Sequence, residues 1–249
     1  MITAYYRPNT LEDALRLLDQ PDTLPLGGGT KLNSPAFKTR TFAVVDLQNL
    51  GLNQVSVHGH ILEIGATVTL QELLEHEHTP EALKQTLRLE TPLNLRNAAT
   101  VAGTLVSCDG RSPFGTAMLA LDAKITVVRK QPSVITLAEY WALRPAGLIT
   151  LLSIPLNARL AYEQVARTPT DVPMVCAALT QWKSGRTRLA LGGYGVSPLL
   201  AMDGTEADGL EAAARNAFHE ATDAWASAEY RREVAATLAR RCLEQLQAA

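Results

Sequence analysis

The sequence predicts an α+β protein. Strand-like segments rich in β-branched residues come in runs, and helical segments separate only some of them, so strict strand–helix alternation is absent. Hydrophobic residues make up 47% of the chain and charged residues 19%, which supplies a core and excludes a disordered polyelectrolyte. The 249 residues suit one large domain or two to three small lobes, at about 100–200 residues per domain.

The elements follow in order. Thr10 caps a first helix and Asp13 stands at the reciprocal capping-box position. Leu11, Ala14, Leu15 and Leu18 repeat at helical spacing until Pro21. Thr23 to Leu26 reads as a short strand that runs into Gly27, Gly28 and Gly29, and Phe42 to Leu47 as a buried strand. Val55–Val57 and Ile61–Ile64 form a hairpin around Gly59. Thr69 and Glu72 make a second capping box for a helix through Glu75, and Thr79-Pro80-Glu81 open a third helix with proline at its first position. Thr91 to Asp109 has no clear period and is rich in Thr, Asn, Ala and Gly, so it reads as a long ordered loop. Ser112 to Leu121 reads as a helix, and Ala123–Arg129 and Gly147–Ile154 as strands. Val175–Trp182 and Arg188–Leu191 are strands around a turn at Ser184 and Gly185. In the last stretch Tyr230, Val234, Leu238, Cys242 and Leu246 step by four along one helical stripe. The expected division is 1–51, 52–160 and 161–249.

Composition excludes several functions. A net charge of −2 does not suit a polyanion binder, so no nucleic-acid partner is expected. Cys108, Cys176 and Cys242 are far apart, which excludes a four-thiolate metal or cluster site and fits a reducing compartment. The opening MITAYYRPNT lacks a basic region followed by an apolar core, and Pro155 interrupts the longest apolar stretch, Gly147–Leu156. A span needs about 20 apolar residues, so a cytoplasmic protein with no membrane span is expected.

Two segments could carry chemistry. In Leu26-Gly27-Gly28-Gly29-Thr30-Lys31-Leu32, successive glycines after a strand let the chain turn sharply and a ligand approach closely. Their amides can converge on an anion, with a hydroxyl from Thr30 and a charge from Lys31. The segment is neither GxxxxGK[ST] nor GxGxxG, and by itself it also fits a plain glycine turn. The second segment runs from Arg96 to Ser112, with small residues from Ala98 to Gly103 and hydroxyls at Thr100, Thr104, Ser107 and Ser112. Alone it also fits a packed small-residue loop. Together the two could clasp a long phosphate-bearing cofactor between lobes.

At these segments the chain resembles the FAD-binding (medium) subunit of the molybdenum hydroxylases, the molybdopterin dehydrogenases of carbon monoxide dehydrogenase and xanthine dehydrogenase type. That family commonly shows A-G-G-T-D-L, where this chain has Gly27-Gly28-Gly29-Thr30-Lys31-Leu32. It also shows R-N-x-A-T-I-G-G-N, where Arg96 to Thr104 reads RNAATVAGT. YYRPNTLEDALRLL, VVDLQNL, LEIGATVTLQEL, LALDAKITVV, LALGGYGVSP and SAEYRREVAATLARR extend the likeness over nearly the whole chain.

The resemblance implies a two-lobed FAD-binding domain of the p-cresol methylhydroxylase and vanillyl-alcohol oxidase type, followed by a small C-terminal α+β domain. It implies FAD bound non-covalently between the first two lobes, held by Leu26, Gly27, Gly28, Gly29, Thr30 and Lys31 on one side. Thr100, Val101, Ala102, Gly103, Thr104, Cys108, Asp109 and Ser112 would hold it on the other. Molybdopterin and 2Fe–2S clusters are expected on partner chains, a large and a small subunit. The flavin would pass electrons to NAD or another acceptor. No side chain is assigned a catalytic role, because the cofactor supplies the redox chemistry.

The chain departs from the family pattern at several places. Lys31 replaces an aspartate, Ala102 a glycine, Thr104 an asparagine, and Pro113 stands where an aspartate is common. Asp171-Val172 lacks the aromatic of an Asp-aromatic pair, and the chain is trimmed between Tyr140 and Pro173. A neutral hydrogen bond is worth about 1 kcal/mol, so these changes motivate an alternative: a non-catalytic scaffold of the same fold with weak or no FAD binding. A free-standing flavin oxidoreductase is a third reading, with no substrate pocket in the sequence to argue for it.

Other residues carry bland readings. His58 and His60 flank Gly59 at a hairpin tip and lack a third metal ligand, and His76 and His78 sit at a helix end among glutamates. Cys108 reads as a small buried hydrophobe, Gly192 and Gly193 as a structural turn. Arg231, Arg232, Arg240 and Arg241 read as a solvated or subunit-facing surface.

Overall fold

The computed structural model describes residues 1–248 and builds them around three sheets. The first is parallel, with β1 (Ile2–Tyr6) and β2 (Thr23–Leu26) on either side of β3 (Phe42–Asp46). Phe42, Val44, Val45 and Asp46 are buried, as a central strand requires. Helix α1 (Leu11–Leu18) covers the sheet, with Thr10 Oγ1 accepting from Asp13 N–H at 3.1 Å. Its Ala14 packs with Val45, Leu47 and Leu148.

The second sheet is antiparallel, in the order β4 (Val55–His58), β5 (Ile61–Gly65), β8 (Leu148–Pro155), β6 (Lys124–Val128), β7 (Pro132–Thr136). Between β5 and β6 run α2 (Leu70–Glu75), α3 (Glu81–Glu90), α4 (Leu93–Arg96), α5 (Val101–Ser107) and α6 (Pro113–Ala120). Helix α7 (Leu137–Leu143) follows β7. The expected Thr69/Glu72 capping box on α2 is formed, and α7 carries a further one at Thr136/Glu139; at α1 the Asp13 carboxylate accepts from the Thr10 hydroxyl instead of from its backbone amide. Thr136→Ala should lower unfolding free energy by about 1 kcal/mol in denaturant titration, because it removes the cap of α7.

The third sheet is a meander of β9 (Ala158–Val165), β10 (Val175–Trp182), β11 (Thr187–Gly192) and β12 (Leu199–Gly204). Helices α8 (Leu210–Ala217) and α9 (Ala228–Ala248) pack on one face with Val175, Ala177 and Leu179. Cys176 and Ala178 point to the other face and join the core of the second unit. Helix α6 lies in that shared core; all eight of its residues are buried, which its small and apolar sequence permits on every side.

Several expectations need correction. Thr91–Asp109 is not a loop but holds α4 and α5. Thr, Gly and Ala gave no apolar period there, yet burial of Val101, Ala102 and Leu105 drives the helix and Thr100 caps it. Pro80 is the N-cap of α3 rather than its first residue. β7, α7, β9, β12 and α8 had no sequence assignment. Arg231 is fully buried, whereas Arg232, Arg240 and Arg241 are exposed. His58 and His60 are exposed, and no cluster of metal-ligating side chains forms among the described residues. No helix among them is long and apolar enough to cross a membrane.

Candidate functional site

All three strands of the first sheet end at one edge, because parallel strands present their carboxyl ends together. Open parallel sheets bind ligands at that edge. Arg7 follows β1, Gly27 follows β2, and Gln48 lies just past β3; all three line one cleft.

The glycine turn is set by contact with the second unit. A Cβ on Gly28 would lie 1.5 Å from the Ala98 carbonyl oxygen, and one on Gly27 would lie 2.9 Å from Thr100 Oγ1. Gly29 has φ +70°, a left-handed conformation. Thr30–Asn33 then turns, with Asn33 N–H donating to the Gly29 carbonyl at 3.1 Å. Among the described residues no amide from Gly28 to Leu32 donates to a backbone carbonyl. These unpaired donors at a bend without side chains form a cradle suited to an anionic group.

The opposing segment is held in place from behind. Ala98 and Ala99 donate to the Leu95 carbonyl at 3.0 and 2.7 Å. Thr100 bridges to Thr69; Leu70 N–H donates to the Ala99 carbonyl at 2.9 Å and Val101 N–H to the Val68 carbonyl at 2.8 Å. Thr100 Oγ1 accepts from Gly103 N–H at 3.2 Å.

Gly27 and Gly28 form the shared wall of two clefts. One, of about 700 Å³, is lined by Met1, Tyr5, Leu26, Ser34, Phe37 and Phe42 among others. Ser34 Oγ is buried there without a hydrogen-bond partner. The other, of about 550 Å³, includes Arg7, Gln48, Asn53, Thr69, Asn97 and Thr100. Arg7 is steered by Asn49 Oδ1 at 3.1 Å, Gln48 Oε1 at 3.2 Å and Asp46 Oδ2 at 3.7 Å. Asp46 is buried and accepts from Tyr5 Oη and from Gln48 N–H, the latter at 2.9 Å. The hydrogen bond to Asp46 holds the Tyr5 phenol above its ordinary value. Glu72 also lines this cleft, but its carboxylate is engaged in the α2 cap. The cation that lines this cleft is Arg7, held beside Asp46, and Lys38 lines the other cleft.

The residues expected at the cofactor divide into groups. Leu26, Gly27, Gly28, Gly29 and Thr100 line the clefts. Thr30 is on the turn, and Lys31 is exposed and lines neither cleft. Val101 and Ala102 are buried in the core. Gly103 packs on Thr100, and Thr104 Oγ1 donates back to the Thr100 carbonyl at 2.9 Å. Cys108, Asp109 and Ser112 lie beyond the other end of α5, about 10 Å away at 1.5 Å per residue. There Asp109 Oδ1 accepts from Arg111 N–H at 2.8 Å, and burial pushes the Cys108 thiol up to about 12. Arg7, Ser34, Asn53 and Asn97 were not anticipated. A parallel first sheet, read from its strand–helix–strand spacing, is the signal that would have pointed to Arg7.

Three comparisons bear on this arrangement. Residues 1–157 match the family described as the FAD binding domain in molybdopterin dehydrogenase. The chain is 27% identical to the carbon monoxide dehydrogenase medium chain of Afipia carboxidovorans over 278 aligned positions, covering 98% of this chain and 96% of that one. It is 25% identical to the glyceraldehyde dehydrogenase medium chain of Sulfolobus acidocaldarius, covering 80% and 78% respectively. Among solved structures, the reconstituted CO dehydrogenase from Oligotropha carboxidovorans superposes with a TM-score of 0.83 at 26% identity, over 97% of this chain and 96% of that one. The likeness covers nearly the whole chain, and the chain belongs to the family of FAD-binding domains in molybdopterin dehydrogenases.

Proposed function

We propose that this chain is the flavin-carrying electron-transfer subunit of a molybdenum hydroxylase. In this reading a small chain with 2Fe–2S clusters, supplied by a large molybdopterin-bearing chain, delivers electrons, and NAD or another acceptor removes them. The observation that carries the reading is the packing of Gly27 and Gly28 against Ala98–Thr100, on a turn with unpaired amides whose glycines line two open clefts. This supports a flavoprotein over a scaffold, whose clefts need not stay open. When bound, FAD supplies the redox chemistry.

The residues of the chain bind and orient it. The amides of the Gly28–Leu32 turn are the donors for a pyrophosphate, and Arg7 adds the cationic contact from the neighbouring strand end. Gly27 and Gly28 admit a dinucleotide across their wall, so that its two ends occupy the two clefts. Ser34 Oγ offers the ligand an unused polar atom in the larger one. Cys108, Asp109 and Ser112 extend the site along α5. The proposed units are 1–51, 52–157 and 158–249; the second boundary moves from the expected 160/161 because β9 belongs to the third sheet. A cytoplasmic location is part of the same proposal, in line with three unpaired cysteines.

The test is an absorption spectrum of the purified chain before and after FAD addition. A flavin spectrum is expected; a colourless chain that takes up no FAD overturns the reading. Co-purification with a large and a small chain tests the partnership. Arg7→Ala should weaken FAD binding about tenfold in a fluorescence titration, as loss of a charged, half-exposed contact. Lys31→Ala should change it less than about threefold, because that ammonium stands outside both clefts.

A further inference from the structure

Arg96 closes helix α4 and leads into the segment that faces Gly28. The helix has four residues, and none of them is buried. Leu93 and Leu95, its two apolar residues, are 55% and 42% exposed. Pro92 at its N-cap offers no side-chain hydrogen bond. One helical turn without an apolar anchor does not hold itself in place. What fixes α4 is polar.

Arg96 Nε donates to Gln71 Oε1 on α2 at 2.9 Å. Its Nη1 donates to the Thr91 carbonyl, just past α3, at 2.8 Å, and to the Arg88 carbonyl in the last turn of α3 at 3.4 Å. Gln71 is steadied in turn, because its Nε2 donates to Glu75 Oε1 at 2.6 Å. The planar guanidinium presents these donors at fixed angles to two helices at once. A lysine carries one nitrogen on a flexible stem and cannot span both.

The segment after Arg96 is fastened at its far end by Leu70 N–H on the Ala99 carbonyl and Val101 N–H on the Val68 carbonyl. Asn97 and Ala98 lie between that anchor and the Arg96 fork, and neither is buried. Ala98 and Ala99 both donate to the Leu95 carbonyl, so a shift of α4 carries them with it. Asn97 and Ala98 line the 550 Å³ cleft, and the Ala98 carbonyl oxygen is the atom nearest a Cβ on Gly28.

We propose that Arg96 is a positioning residue for the cofactor site: its guanidinium fork fixes α4 against α2 and α3 and so holds Asn97 and Ala98 as the wall opposite Gly28. The proposal rests on the reading that FAD binds between that wall and the glycine turn.

The test is a FAD fluorescence titration of wild type, Arg96→Ala, Arg96→Lys and Gln71→Met, each shown to be folded by circular dichroism at the titration temperature. R96A should bind about tenfold more weakly, and R96K, which keeps the charge but not the fork, at least about fivefold. Q71M removes one acceptor of the fork and should cost about threefold. R96K binding like wild type overturns the proposal, because charge alone would then suffice. A second comparison places R96K in the Gly28→Ala background, where wall and turn have already parted. There it should cost less than about twofold more; the full loss recurring there overturns the proposal, since Arg96 would then act elsewhere. If wild type takes up no FAD, the cofactor reading fails, and hydrogen exchange decides the clamp. In R96K the Asn97, Ala98 and Ala99 amides should exchange faster, while those of Leu70 and Val101 stay protected; unchanged exchange at 97–99 overturns the clamp as well.

Discussion

A Gly28→Ala protein is expected to lose FAD affinity by at least about a hundredfold. The added methyl would lie 1.5 Å from the Ala98 carbonyl oxygen, 2.5 Å from its carbon and 3.2 Å from the Ala99 nitrogen. All three are backbone atoms, and Ala98 and Ala99 are fastened to Leu95, so no rotamer change relieves the clash. The turn and the second unit must part, which opens the cradle. Overpacking of this kind costs about 1–3 kcal/mol or more, and misplaced amides lose their anion contacts in addition. Two controls separate clash from backbone strain. Gly29→Ala meets only side-chain atoms, the nearer being Leu26 Cδ1 at 3.1 Å, but carries the cost of φ +70°. Gly51→Ala has φ +68° with nothing within 4 Å. Both should cost about 1 kcal/mol in stability, and Gly51→Ala should leave FAD affinity unchanged. A G28A titration curve that overlays wild type would show that the contact does not shape the site.

Arg231→Ala should produce the largest loss of stability, about 3–5 kcal/mol, read as a fall in Tm on the order of 10 °C. Its guanidinium is fully buried at the start of α9. It donates to the carbonyls of Ala221 at 2.6 Å, Ala226 at 2.9 Å and Met174 at 3.3 Å, and to Asp223 Oδ1 at 2.8 Å. Tyr194 lies under it at 5.2 Å. Truncation leaves these four acceptors without their donor, that of Ala221 in the buried interior. Asp223 also binds Arg111 at 2.6 Å, which ties the turn before α6 to the C-terminal unit. Burial works against the Asp223 charge, but the hydrogen bonds from Arg231 and from the Trp225 and Ala226 amides outweigh it and hold the carboxyl at about 2. A carboxyl depressed on folding contributes stability above its unfolded value near 4, and that stability is lost as pH falls through about 2. Asp223→Asn should therefore cost on the order of 2 kcal/mol at neutral pH and flatten the acid limb of the stability profile. The R231A/D223N pair should lose less than the sum of the single losses, because the two share one network.

Reading the chain in order recovers elements that carry their own local signal. Thr10 and Thr69 cap helices at the expected residues, because a hydroxyl that accepts an amide two or three positions on needs no distant partner; Ser112, read as the first residue of its helix, proves to be the N-cap. The hairpin around Gly59 forms for a similar local reason, with Gly59 at φ +60°. Elements whose signal lies elsewhere were lost. Helix α5 is held by burial of Val101 and Leu105 against a sheet far away in sequence, and its Gly and Thr content argues locally against a helix. Edge strand β12, only partly buried, has no alternation strong enough to read. The Thr136/Glu139 box was visible in the sequence; the same reasoning that located α2 would have found α7.

For the site, the sequence by itself determined which stretches of backbone can be approached closely. Runs of glycine and alanine are a property of composition, and they survive whatever the rest of the chain does. Only the tertiary structure decided that Gly28 meets Ala98, that Arg7 joins them while Lys31 does not, and that Arg231 is buried rather than solvated. The reason is physical. Approach, charge placement and burial depend on which strand ends and helix termini share an edge, and chain topology sets that over separations that no local pattern encodes.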